Sequence, residues 1–142
     1  MLRGLSALTI WAAALWWGAL TTVGTIVVPM LFANLPSPAI AGAMAAKLFS
    51  AMTWLALGCG LLLLMIFRSN QPVALNNKAQ GTILFIALGV LLALLSEFAI
   101  APRIIARQDL RLWHSVGTAM FVGQWLCAGL TFWKLAERSS EA

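Results

Sequence analysis

The sequence is poor in charged residues, which make up 9% of its 142 residues, whereas 62% are hydrophobic. A soluble domain carries roughly 25% charged residues because its surface faces water. So little charge excludes a water-soluble globular domain and indicates a protein whose solvent is lipid. At this length we expect one integral membrane domain that covers residues 1–142.

The net charge of +5 does not indicate nucleic-acid binding. The lysines and arginines stand at the ends of apolar runs, where positive residues orient membrane proteins. No cluster combines basic with aromatic residues in the way that nucleic-acid-binding proteins do. We therefore expect the lipid bilayer as a partner and no nucleic acid.

Residues that hold metals or cofactors are scarce. Cys59 and Cys127 lie inside apolar runs and are expected to be buried free thiols. With His114 as the only histidine, one chain cannot build a bis-histidine haem site, although a dimer could supply a second histidine. Cys127 follows His114 by 13 residues, roughly 20 Å along one helix, so the two cannot share a copper ion. We predict no cofactor and no metal, with haem or copper binding as the least favoured alternative.

Catalytic patterns are missing as well. No nucleophile stands beside a general base at a recognisable spacing, and no glycine-rich phosphate loop occurs. Ser115 directly follows His114, so on a helix their side chains point about 100° apart. The sequence therefore predicts that the protein is not an enzyme.

Long apolar runs are what the sequence has in abundance. They predict an all-α fold, a four-transmembrane-helix up-down antiparallel bundle with helices at about 5–32, 39–67, 81–101 and 112–135. The first run is too long for the core of a signal peptide. We expect Pro29 to kink the first helix, Pro36 and Pro38 to separate it from the second, and Pro102 to end the third.

This topology places both termini on one side of the membrane. Five basic residues share that side and four lie on the other: Arg3, Arg68, Lys78, Lys134 and Arg138 against Lys47, Arg103, Arg107 and Arg111. Because cytoplasmic segments carry the excess of positive residues, we predict a multi-pass cell-membrane protein with cytoplasmic termini.

Glu97 is the only carboxylate inside a hydrophobic run. It precedes Pro102 by five residues, which places it about 7 Å from the predicted end of the third helix. A carboxylate within the hydrocarbon region indicates a functional site by default, and a partner side chain that pairs with it is expected. Lys47, Arg103 and His114 are predicted to lie in the same leaflet and are the candidate partners.

These residues define the candidate functional cluster. In one alternative interpretation Lys47 and Arg103 snorkel to the interface. In another, Glu97 bridges to Arg103 or Lys47 and only fixes the bundle. The complete candidate cluster consists of Glu97, Arg103, His114, Lys47, Pro29 and Pro102.

The first and third helices end alike. Val28–Ala33 and Ala101–Ala106 each contain a proline at the second position, three long or bulky residues and an alanine. The likeness fits a duplicated helical hairpin in parallel orientation, as some transporters are built. Because only six residues match, chance is the favoured explanation and duplication is the alternative.

Several short motifs resemble one family. They are Trp17-Gly18, Val28-Pro29-Met-Leu-Phe32, Leu35-Pro-Ser-Pro-Ala39, Lys47-Leu-Phe49, Pro102-Arg103 and Trp113-His114-Ser115. Together they are similar to the domain-of-unknown-function 4149 family, also called transmembrane-protein-205-like. The resemblance implies an integral membrane protein of four helices without an established biochemical activity, and an animal relative is linked to resistance to platinum drugs. A remoter likeness to copper-resistance membrane proteins would favour metal or haem, but the expected histidines are missing from the first three helices.

Two functions follow as hypotheses. The first is transport of, or resistance to, a small solute or ion through an oligomeric helical bundle, since four helices enclose little volume and a pore forms more naturally between chains. The second is a structural or accessory role, in which small-residue faces at Gly18 and Gly58 bind a partner membrane protein.

Overall fold

The computed structural model describes residues 2–69 and 77–140, with side chains described for 7–69 and 80–138. Within these ranges the backbone is helical apart from two connecting loops, at 35–37 and 106–109. The described part of the chain contains no β-strand. This confirms the predicted all-α class.

Four spans are long and apolar enough to cross a membrane in the described part of the chain: Ala7–Asn34, Pro38–Ser69, Gln80–Ile105 and Leu110–Arg138. The first contains α1 (Leu2–Thr22), a π-helical segment (Val23–Val27) and α2 (Val28–Asn34). The second is α3 (Pro38–Ser69). The third contains α4 (Asn77–Leu95), a second π-helical segment (Ser96–Ile100) and α5 (Ala101–Ile105), and the fourth is α6 (Leu110–Ser140).

The spans form a closed ring. Each packs against the next along the chain, and the first packs against the fourth. Trp16 and Leu20 of the first span, Leu63 of the second and Ile86 of the third are fully buried at its centre. The centre of the bundle is therefore filled with side chains, and the predicted four-helix bundle is confirmed.

Gly89 makes room for the largest of these side chains. A Cβ atom at this position would lie 2.7 Å from Cη2 of Trp16 and 3.1 Å from Cβ of Cys127. Real Cβ atoms do not approach another carbon as closely as the first of these distances. The indole of Trp16 can fill the core only because the third span has no side chain at Gly89.

Pro102 does not end the third helix, which continues to Ile105; the expectation that it stops there was wrong. A proline inside an α-helix removes one backbone hydrogen bond, and its ring clashes with the carbonyl four residues earlier. Here the backbone is π-helical just before the proline, and the N–H of Ala101 donates to the carbonyl of Ser96, five residues back. Pro102 then occupies the first turn of α5. A backbone N–H in the first turn has no acceptor within the helix, so the missing N–H of proline costs no hydrogen bond there.

Pro29 is accommodated in the same way. The N–H of Val28 donates to the carbonyl of Val23, and Pro29 lies in the first turn of α2, which continues to Asn34. Each π-helical segment starts six residues before its proline. The backbone of the first and third spans thus repeats where their sequences repeat.

The two described loops are fixed by short-range hydrogen bonds. Ser37 Oγ accepts from the N–H of Ile40 at 3.3 Å, which caps the start of α3. In the other loop Arg107 and Asp109 have φ values of 53° and 24°, and Asp109 Oδ1 accepts from the N–H of Leu112 at 3.2 Å. The fourth helix therefore starts at Leu110, two residues earlier than predicted.

Candidate functional site

A groove of about 580 Å³ lies between the second and third spans, on the outside of the ring. Its walls are made largely of small side chains, and it contains one acidic and one basic group. The residues that matter most are Ala43, Ala46, Lys47 and Ser50 from the second span and Glu97 and Ala101 from the third.

Glu97 is held by Ser50. The Oγ atom of Ser50 lies 2.7 Å from Oε1 and 2.9 Å from Oε2 of the carboxylate. A hydroxyl has one hydrogen and donates to one oxygen at a time. Within the described residues Glu97 has no ion pair. At least one carboxylate oxygen is thus free to contact a cation.

Lys47 lines the same groove without pairing with Glu97. Its side chain is exposed, and in the part of the chain that the structure describes it forms no ion pair or hydrogen bond. The groove therefore holds an acid and a base that do not neutralise each other directly. The bridge expected between Glu97 and Lys47 is not formed.

The groove lies farther from the helix ends than the sequence predicted. Glu97 is eight residues from the end of its helix at Ile105, and Lys47 is nine residues from the start of its own at Pro38. At 1.5 Å per residue these separations correspond to about 12 and 14 Å. Glu97 is farther from its helix end than predicted because the third helix continues beyond Pro102.

Arg103 interacts with the fourth span and not with Glu97. Its guanidinium lies 4.6 Å from the ring centroid of Trp113, in a cation–π contact, and its Nη1 donates to the carbonyl of Ala99. The expected bridge between Glu97 and Arg103 is therefore also absent. Arg103 instead joins the end of the third span to the start of the fourth.

The other candidate residues lie at different places. His114 is exposed, and its Nδ1 donates to the carbonyl of Leu110 at 2.8 Å, which satisfies it within its own helix. Pro29 is exposed on the first span, whereas Pro102 lines the groove. Of the six candidate residues, the groove thus brings together Glu97, Lys47 and Pro102.

The sequence interpretation missed Ser50, which makes the one side-chain hydrogen-bond contact to Glu97 in the described structure. A signal for it was present, because Ser50 follows Lys47 by three residues and such residues share a helix face. The alanines of the groove carry no comparable signal. They are common in membrane helices, and only packing shows which of them face Glu97.

The two cysteines do not contribute to the groove. Cys59 and Cys127 are buried free thiols on the second and fourth spans. In residues 2–69 and 77–140, no three histidine, cysteine, aspartate or glutamate side chains come together in a group that could hold a metal ion.

A ring of four apolar helices with an acid and a base in an outer groove defines a multi-pass integral membrane protein. Residues 11–113 match the family model described as Domain of unknown function (DUF4149), which covers more than two thirds of the chain, so the protein belongs to this family. No curated protein and no solved structure matches the chain. The family predicted from the short motifs is confirmed, while the relation to transmembrane protein 205 stays a prediction.

Proposed function

We propose that the protein is not an enzyme but passes a small positively charged solute or ion through the membrane, with Glu97 as the group that binds it. The observation that carries this proposal is that the carboxylate of Glu97 accepts from Ser50 and forms no ion pair among the described residues. An ionised carboxylate in hydrocarbon costs free energy unless it is paired. A bound cation offsets that cost.

The path of the solute would follow the outside of the ring. Trp16, Leu20 and Leu63 fill the centre, whereas the groove beside Glu97 is open. A groove on one chain becomes an enclosed path when another copy covers it, which supports an oligomer as the transporting unit. The excess of basic residues on the side of the termini supports cytoplasmic termini, with the loop at 106–109 on the opposite face.

The test is flux through liposomes that contain the purified Glu97→Gln variant. Protons, K⁺ and tetramethylammonium serve as the probes. For any cation that the unmodified protein passes, we expect flux to fall at least about tenfold, the equivalent of about 1.4 kcal/mol of lost binding. Glu137→Gln is the matched control, because Glu137 is exposed near the other end of the bundle and accepts from Trp133 on its own helix. Equal flux in the two variants would overturn the proposal.

A specific observation favours the second candidate function, binding to another membrane protein. A Cβ added at Gly18 or Gly58 would meet nothing within 4 Å, so packing within the chain does not require glycine there. Small residues on outward faces let a neighbouring membrane helix approach closely. A Gly18→Leu or Gly58→Leu variant that loses a co-purifying membrane protein supports this function, and retention of that protein in both variants counts against it.

A further inference from the structure

We propose that two copies of this chain associate through the groove about a two-fold axis parallel to the membrane normal, and that Lys47 of each copy pairs with Glu97 of the other. The pairing describes the assembly without a bound solute. It rests on the geometry of the groove and does not depend on the passage of a solute proposed above.

The first reason is that both charges need partners. Glu97 and Lys47 lie about 12 and 14 Å from the nearest helix ends and line one groove. Neither forms an ion pair among the described residues. Both residues lie within spans that are long and apolar enough to cross a membrane, and ionisable groups within such spans are commonly paired. A second copy of the chain supplies both missing partners at once.

The second reason is that the two charges stand on opposite walls. Lys47 belongs to the second span and Glu97 to the third. A two-fold rotation about an axis along the groove places the second span of each copy opposite the third span of the other. The rotation therefore sets each ammonium against a carboxylate, and like charges do not face one another.

The third reason is that the depths match. An axis parallel to the membrane normal leaves the depth of every residue unchanged in the second copy. Ser50, which contacts Glu97, follows Lys47 by three residues, an offset of about 4.5 Å along the helix. The flexible four-carbon stem of lysine can span such an offset.

The groove also permits close approach. Ala43 and Ala46 on one wall and Ala101 on the other end at Cβ. Small residues of this kind let the backbones of neighbouring membrane helices come near each other. Larger residues at these three positions would hold the second copy away and leave the two charges separated.

The decisive experiment reverses each charge separately. Lys47→Glu and Glu97→Lys copies carry different affinity tags and are examined in nanodiscs. We expect each variant alone to dissociate at least about tenfold more readily than the unmodified protein, equivalent to about 1.4 kcal/mol, because like charges then face one another. When the two variants are expressed together, each acid meets a base of the other copy, and we expect tandem purification to recover the mixed dimer.

Recovery of the mixed dimer distinguishes a Lys47–Glu97 pair between two chains from a pair within one chain. A pair within one chain would be restored in the doubly reversed Lys47→Glu, Glu97→Lys variant but not by mixing the single variants. Arg111→Glu is the control, since Arg111 is exposed at the start of the fourth span and outside the groove. Unchanged association of the single variants, failure to recover the mixed dimer, or a monomeric unmodified protein would each overturn the proposal. If a lipid or a different membrane protein occupies the groove instead of a second copy, the unmodified protein is monomeric.

A second measurement leaves Lys47 and Glu97 unchanged, and so tests the dimer even if the charge-reversed variants do not accumulate in the membrane. Copies with Ala46→Cys are mixed with copies that carry Ala101→Cys, and a short bifunctional thiol reagent is added. We expect a cross-link between the two kinds of copy, because the walls that carry these residues face each other in the dimer. Leu130→Cys replaces Ala101→Cys in the control mixture, since Leu130 is exposed on the fourth span. Equal yields in the two mixtures would overturn the proposal even if Glu97→Gln abolished flux.

Discussion

The hydroxyl of Ser50 lies within 2.9 Å of both carboxylate oxygens of Glu97 and so joins the second and third spans inside the groove. No residue of the fourth span takes part in this contact. Among the described residues, Ser50 is therefore the side chain that donates a hydrogen bond to Glu97.

Replacing Ser50 is expected to lower the free energy of unfolding by a measurable amount. We predict that Ser50→Ala lowers the free energy of unfolding by about 1–2 kcal/mol, because the variant leaves the carboxylate without its donor while interhelical hydrogen bonds in membranes are of modest strength. Unfolding by SDS in mixed micelles measures the change. Ser115→Ala is the control, since Ser115 is exposed and bonds only to Arg111 on its own helix. Equal losses in both variants would show that the contact to Glu97 adds no stability.

Close packing at Gly89 leads to a second prediction. Gly89→Ala should lower the free energy of unfolding by about 1–3 kcal/mol, because the new methyl group collides with the buried indole of Trp16. Gly18→Ala, where the added atom meets nothing within 4 Å, should leave stability unchanged or raise it by up to about 1 kcal/mol through helix propensity. The same SDS titration compares the two, and a destabilised Gly18→Ala with an unaffected Gly89→Ala would contradict the packing described.

The cation–π contact between Arg103 and Trp113 leads to a third prediction. Arg103→Gln removes the positive charge from the face of the indole and should lower the free energy of unfolding by about 0.5–1 kcal/mol. Arg111→Gln is the matched control, since Arg111 is also exposed near the same loop. If both variants unfold at the same SDS fraction, the contact does not hold the third and fourth spans together.

The architecture could be predicted from the sequence because few backbone structures are stable in hydrocarbon. A chain in lipid must satisfy its backbone hydrogen bonds internally, so each long apolar run becomes a helix. The end of the third helix could not be predicted in this way. Whether a proline stops a helix depends on the backbone before it, and the sequence interpretation did not predict the π-helical geometry of Ser96–Ile100.

The candidate site could be predicted in part. The isolation of Glu97 in an apolar run was sufficient to identify it, and Lys47 lies in the same groove. Its partner was not predictable, because the rotation of each helix about its axis decides which side chain meets the carboxylate. That rotation is set by packing in the core, which directs Ser50 to Glu97 and leaves Arg103 to interact with Trp113.

The two π-helical segments also bear on the history of the chain. Each contains a backbone hydrogen bond over five residues instead of four, which accommodates one inserted residue, and each starts six residues before its proline. Descent of the two hairpins from a single ancestor then implies an order of events. In that case the extra residue would have entered the ancestral helix before the duplication, which would have copied it together with the proline that follows it.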